Sequence, residues 1–125
     1  MSNPISVADS DALIALTLEK DPHHQRAIDT SQKLYKNNIE VVFPVTVFPE
    51  AITSLKRAAN QPQKAELINN QLQRGAFHVI FIDEEILNCA CGLFSRTKSK
   101  QNTFFDTIVA SCAEKLAASS IFTFD

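Results

Sequence analysis

A chain of 125 residues with 45% hydrophobic content is the size of one ordinary domain and can bury a core of its own. Its 12 basic and 14 acidic residues give a formal net charge of −2, which excludes the strongly basic surface of a general nucleic-acid binder and leaves any such binding to a local patch. Only 2 glycines are present, which excludes a glycine-rich phosphate loop of the P-loop or dinucleotide type.

Met1–Pro4 is polar and lacks the basic, then apolar, layout of a signal peptide, and no run reaches the roughly 18 apolar residues of a membrane span. A soluble cytoplasmic protein with no membrane association is expected. The three cysteines are an odd number. Cys89 and Cys91, two apart on a predicted helix, point to different faces, so buried thiols are expected rather than a disulfide framework or a metal knuckle.

Ile5–Leu18 reads ISVADSDALIALTL: a short apolar run ends in Asp9, and Leu13, Ile14 and Leu18 then recur at helical intervals. Strand, turn and helix follow. Ser10 is expected to cap the helix and Asp11 falls in its first turn, where the helix dipole favours an acid. Asp9 is left at the C-terminal end of a central strand, the edge on which open α/β sheets build their sites.

Asp21-Pro22 predicts a cap and a first-position proline for a second helix, with Ala27, Ile28, Leu34 and Tyr35 on one face and Lys36-Asn37-Asn38 closing it. Ile39–Phe43 is a second strand, ended by Pro44. Thr46 is expected to cap a third helix from about Val47 to Ala59, with Pro49 tolerated in its first turn. Pro62–Arg74 makes a fourth helix that buries Ala65, Ile68 and Leu72, and Gly75 fits its C-terminal cap.

Phe77–Ile82, FHVIFI, reads as the clearest strand, with His78 structural within it. Asp83-Glu84-Glu85 then opens a fifth helix carrying Ile86, Leu87, Ala90, Leu93 and Phe94 inward. Arg96–Asn102 is a basic polar loop. A sixth helix runs from about Phe104 to Ala117, and Ile121–Phe124 is a fourth strand leading to Asp125. Strands separated by helices imply parallel pairing through right-handed crossovers, so the expected fold class is α/β: three layers, α/β/α, around a parallel sheet of four or five strands.

Four acids then occupy comparable places. Asp9 follows the first strand, Glu50 lies early in the helix after the second, Asp106 near the start of the last helix, and Asp125 after the last strand. Such positions can converge on one edge of a parallel sheet, where protons or a hard divalent cation must offset their repulsion. Glu50 and Asp106 equally suit the plain role of first-turn acids, and Asp125 that of a solvated acid.

Taken together, Asp9-Ser10 after a strand, Thr46 with Glu50, Thr103-Phe104-Phe105-Asp106 opening a helix, and Thr123-Phe124-Asp125 after the last strand resemble the PIN-domain ribonucleases. Within that family the chain is most similar to the small single-domain toxins of VapC type, and Asp21-Pro22-His23-His24 resembles a common start of their second helix. The resemblance implies one PIN-like domain over 1–125, with the sequence stopping at the fourth acid where relatives usually continue into a further loop and edge strand. It implies an acidic pocket for Mg²⁺ or Mn²⁺, with Asp9, Glu50 and Asp106 as ligands and Asp125 as a fourth acid. Ser10, Thr46, Thr103 and Thr123 would support them from the pocket wall. A homodimer and a small antitoxin protein are the partners it implies, besides RNA.

Oxygen-only sites suit these cations, which favour hydrolysis of a phosphodiester. RNA approaching the acids needs positive charge nearby, and Lys56, Arg57, Lys64, Arg96, Lys98 and Lys100 are the candidate phosphate contacts. His23 and His24 are adjacent and point different ways, which does not favour a shared metal. Two other functions remain open. One is a catalytically inactive PIN-type module binding RNA or protein; the other is a haloacid-dehalogenase-type phosphatase using Asp9 and Asp11, for which the later lysine and acidic pair are not clearly placed. A receiver-like domain lacks its adjacent acidic pair and late lysine.

Overall fold

The computed structural model describes residues 3–124. Four strands, β1 (Ile5–Ala8), β2 (Glu40–Pro44), β3 (Val79–Ile80) and β4 (Ser120–Phe122), form one parallel sheet in the order β3-β2-β1-β4. Six helices connect them: α1 (Ser10–Thr17), α2 (His24–Lys36), α3 (Val47–Thr53), α4 (Pro62–Gln73), α5 (Glu84–Arg96) and α6 (Phe104–Lys115). The chain runs outward from β1 to β2 to β3, then crosses back to place β4 on the other side of β1. Right-handed crossovers therefore put α1–α4 on one face and α5–α6 on the other, giving three layers.

β1 is interior, with Val7 opposite Val42 on one side and Ile121 on the other. Its apolar run is continuous rather than alternating because both faces are covered: Val7 and Ala8 are fully buried. Phe48, Leu55 and Ile68 fill the core from the α3–α4 side, and Phe43, Phe48 and Phe77 meet with ring centroids 5.1–5.9 Å apart. Ile86, Ala90, Ile108 and Cys112 fill it from the other face, where Ser111 Oγ donates to Ile86 O at 2.7 Å and ties α6 to α5. Among the described residues, no helix is long and apolar enough to cross a membrane.

Several expectations are corrected locally. The N-cap of α1 is Asp9, not Ser10: its extended backbone aims the carboxylate at Ala12 N–H, 2.9 Å away. Thr46 precedes α3 but makes no capping bond, because its backbone is already helical. α2 starts at His24 rather than Pro22, with Asp21 Oδ1 accepting from His23 N–H at 2.8 Å. Tyr35 is 84% exposed, since it lies about 100° around the helix from Leu34, which packs on the core.

The third helix changes at Ser54–Ala58 into a π-helical turn, closed by Ala59 N–H on Ser54 O at 3.0 Å. The predicted strand Phe77–Ile82 shrinks to Val79–Ile80. Phe43 N–H donates to His78 O and Val45 N–H to Ile80 O, after which β2 runs on toward α3 and leaves Phe81 beyond the pairing and 74% exposed. Leu87 and Phe94 on α5 are exposed, not inward. Of the cysteines only Cys112 is buried; Cys91 is exposed and Cys89 intermediate. Gly75 follows α4 with φ +74°, as its expected capping role requires.

Candidate functional site

The strand order reverses between β1 and β4, so that α1 leaves β1 on one face of the sheet while α6 leads into β4 from the other. A crevice at their C-terminal ends is the geometric consequence. Asp9 comes from the end of β1 and Thr123 from the end of β4; Asp9 N–H donates to Phe122 O at 3.2 Å, and the Thr123 hydroxyl donates to Asp9 Oδ2. Both Asp9 oxygens are thus oriented, Oδ1 by the first turn of α1 and Oδ2 by the last strand. Asp9 is only 8% exposed.

Asp106 arrives from the opposite face. Thr103 caps α6 by accepting from Asp106 N–H at 3.3 Å, and Asp106 Oδ2 accepts from Thr103 N–H at 2.9 Å, a reciprocal pair that fixes the carboxylate at the helix start. Asp9, Asp106, Thr123, Asn102, Val109 and Ile121 line a single cleft of about 160 Å³. Sequence reasoning missed Asn102. Its signal was its place immediately before the cap of the helix that carries Asp106.

Glu50, in the first turn of α3, is half-buried, and burial pushes its carboxyl above the ordinary value. A hydrogen bond from the Ser10 side chain opposes that rise, while the negative charges of Asp106 and Asp9 add to it. Ser10, displaced from the capping role, thereby serves Glu50. The three acids feel one another across elements on both sides of the sheet.

Oxygen donors of this kind suit a hard cation. Among the described residues, however, no three His, Cys, Asp or Glu side chains are gathered closely enough to form a metal-binding group. Asp125, the fourth expected acid, lies outside the described residues. The segment leading to it is anchored by Phe124, whose ring stacks on His23 at 4.9 Å with an interplanar angle of 2° and lies 5.4 Å from the Arg26 guanidinium carbon. His24 instead bonds Ala15 O through Nδ1 at 2.6 Å. Asp11 is exposed and outside the cleft, so the structure does not gather the acid pair that the phosphatase alternative needs.

Of the candidate phosphate contacts, Lys56 and Arg57 are exposed on the π-helical turn, and Arg96, Lys98 and Lys100 are exposed at the end of α5 and in the segment before α6. Lys64 is engaged by Glu19 at 2.8 Å.

No curated protein matches the sequence. The crystal structure of Mycobacterium tuberculosis VapC20, described as a sarcin-ricin loop cleaving toxin, superposes with a TM-score of 0.79 at 18% identity, covering 97% of this chain and 89% of that one. The shared fold includes the sheet whose reversal opens the crevice beside Asp9. Matching its sequence pattern over residues 6–125, this chain belongs to the PIN domain family.

Proposed function

We propose that this chain is a Mg²⁺- or Mn²⁺-dependent endoribonuclease that hydrolyses RNA phosphodiester bonds at Asp9, Glu50 and Asp106, with Asp125 as a fourth acid. The observation that carries this reading is the convergence of Asp9 and Asp106 on one cleft, with the charge of both reaching Glu50. Family membership supports it, as does the fold shared with a toxin that cleaves the sarcin-ricin loop.

When bound, a divalent cation of this class supplies positive charge that favours ionisation of water and offsets the charge developing on phosphorus. The residues set up that chemistry. Thr123, Ser10 and the Thr103 N–H each donate to one carboxylate and aim it, and at Glu50 the bond from Ser10 also opposes the rise of its carboxyl. Val109 and Ile121 border the acids of the cleft with apolar surface. Glu50, whose carboxyl is raised by burial, is suited to accept a proton from the attacking water.

The toxin reading brings with it an antitoxin protein, a homodimer and a cytoplasmic setting. Light scattering on the purified chain tests the dimer, and a monomer at micromolar concentration would remove that part.

Mn²⁺ titration calorimetry on the wild type and on Asp106→Asn, followed by RNA cleavage at saturating metal, tests the nuclease. Asn at 106 retains an oxygen for the Thr103 N–H, so the cap survives while the charge is lost. Binding and cleavage that both fall at least a hundredfold in the variant are expected. Cleavage unchanged in both Asp106→Asn and Asp9→Asn would end the assignment; RNA binding without metal binding or cleavage would favour the non-catalytic module.

A further inference from the structure

The acidic cleft does not stop at Asp106. On the other side of that carboxylate a second recess, of about 180 Å³, opens between α5 and α6, lined by Leu93, Thr97, Asn102, Asp106, Thr107 and Ala110. Asp106 and Asn102 belong to both spaces. The two are therefore adjacent compartments sharing one wall.

Their chemistry differs. Thr97 Oγ1 donates to Leu93 O at 2.9 Å and Thr107 Oγ1 to Phe104 O at 2.7 Å, so both hydroxyls already serve their own helices. With Leu93 and Ala110, the recess is mostly apolar. Asn102 is the neutral polar group at its rim, and its side-chain amide makes no hydrogen bond to another described residue. It offers two donors and one acceptor to whatever enters.

A mostly apolar slot edged by one amide and, on the wall shared with the cleft, by the Asp106 carboxylate matches a flat group that has apolar faces and a hydrogen-bonding edge. Its volume is below the roughly 300–1,000 Å³ of pockets that enclose whole small molecules. Single-stranded RNA is recognised largely through unstacked bases inserted into such slots. Arg96, Lys98 and Lys100 stand on the segment that brings Asn102 to the cleft, where neighbouring phosphates would run.

We propose that the recess between α5 and α6 is a nucleobase subsite, taking the base that flanks the phosphate held at Asp106, with Asn102 bonding the edge of that base. The assignment rests on the reading of the adjacent cleft as the place where an RNA phosphate is bound. It makes the α5–α6 pair the determinant of sequence preference, separate from the acids.

The test is fluorescence anisotropy with Ca²⁺ in place of Mn²⁺, so that a hard cation offsets the acids, with gel analysis verifying that the RNA stays intact; the probes are pentaribonucleotides of adenosine, cytidine or uridine and an abasic pentamer of the same backbone. Ala110→Leu fills the recess from α6 and Thr97→Leu fills it from α5; thermal melting verifies that each variant is folded. The wild type is expected to bind at least one base-bearing pentamer tenfold or more tighter than the abasic one. Either filling variant should abolish that difference while leaving abasic binding unchanged, and Asn102→Ala should narrow the spread among the three bases.

A folded Ala110→Leu or Thr97→Leu that keeps the wild-type preference for bases overturns the subsite, as does a wild type with no such preference. A protein segment as the true occupant shows itself in that second way. Failure of the nuclease reading is distinct: base binding sensitive to Ala110→Leu, in a chain that does not cleave RNA with Mn²⁺, leaves the subsite standing in a non-catalytic module.

Discussion

Glu50 is a half-buried acid whose nearest charges are also acids. Burial raises its carboxyl above the ordinary value of 4.5, and the charges of Asp106 and Asp9 push in the same direction. The folded state therefore binds this proton more tightly than the unfolded state, so the stability Glu50 contributes is complete below the ordinary value and is lost as pH rises through the raised one. At neutral pH, without a cation, ionised Glu50 destabilises the fold. Glu50→Gln is expected to raise the melting temperature at pH 7 in EDTA and to leave it nearly unchanged at pH 4, read by calorimetry. Mn²⁺ should raise the wild-type melting temperature and raise that of the variant less. A variant melting no higher than the wild type at pH 7 would show that neither burial nor the neighbouring acids penalise the ionised carboxyl. At this scale Asp9 was legible from sequence, because an apolar run that stops at a carboxylate before a helix marks a sheet edge. Its capping bond was not: Asp9 and Ser10 are both good cap residues, and only the backbone at Asp9, φ −95° and ψ −179°, decides between them.

Among the elements, the packed pair α5–α6 holds both the acid Asp106 and the recess beside it. One tie within the pair is the buried hydroxyl of Ser111 on Ile86 O. Ser111→Ala removes one donor and little volume, and about 1 kcal/mol of stability should go with it; urea denaturation measures the loss, and a change within error would show the bond has no net value. The helices were legible because their apolar spacing and breakers are local: Asp83 caps α5 through Ile86 N–H, and Thr103 caps α6, both at positions sequence supplies. The edge strand was misjudged for a tertiary reason. FHVIFI has strand composition throughout, but pairing extends only as far as β2 offers partners, and β2 ends at Pro44. The outward turn of Leu87 and Phe94 has the same origin: the width of the buried stripe on α5 is set by α6, which covers Ile86 and Ala90.

For the molecule as a whole, a formal charge of −2 and an acidic cleft make RNA binding a matter of local cations. Arg96, Lys98 and Lys100 are exposed on the one segment that also delivers Asn102 to the cleft. Reversing all three to Glu is expected to weaken RNA binding at least tenfold. It should also flatten the dependence of log Kd on log salt by about 0.7 for each phosphate that is no longer neutralised. Anisotropy between 50 and 200 mM salt, a range of about fourfold, reads both. A slope equal to that of the wild type would move the phosphate path to Lys56 and Arg57.

By itself the sequence determined the alternation of strand and helix, the parallel sheet that alternation entails, and the placing of acids at strand ends and helix starts, because each of these is written in short-range periodicity and capping chemistry. The tertiary structure alone decided that β4 returns beside β1, bringing the Thr123 hydroxyl onto Asp9, and that α6 crosses so that Asp106 and Asn102 share their cleft. The physical reason is that the direction of a crossover depends on which sheet edge is left to cover. That is a property of the assembled layers, and no local spacing records it.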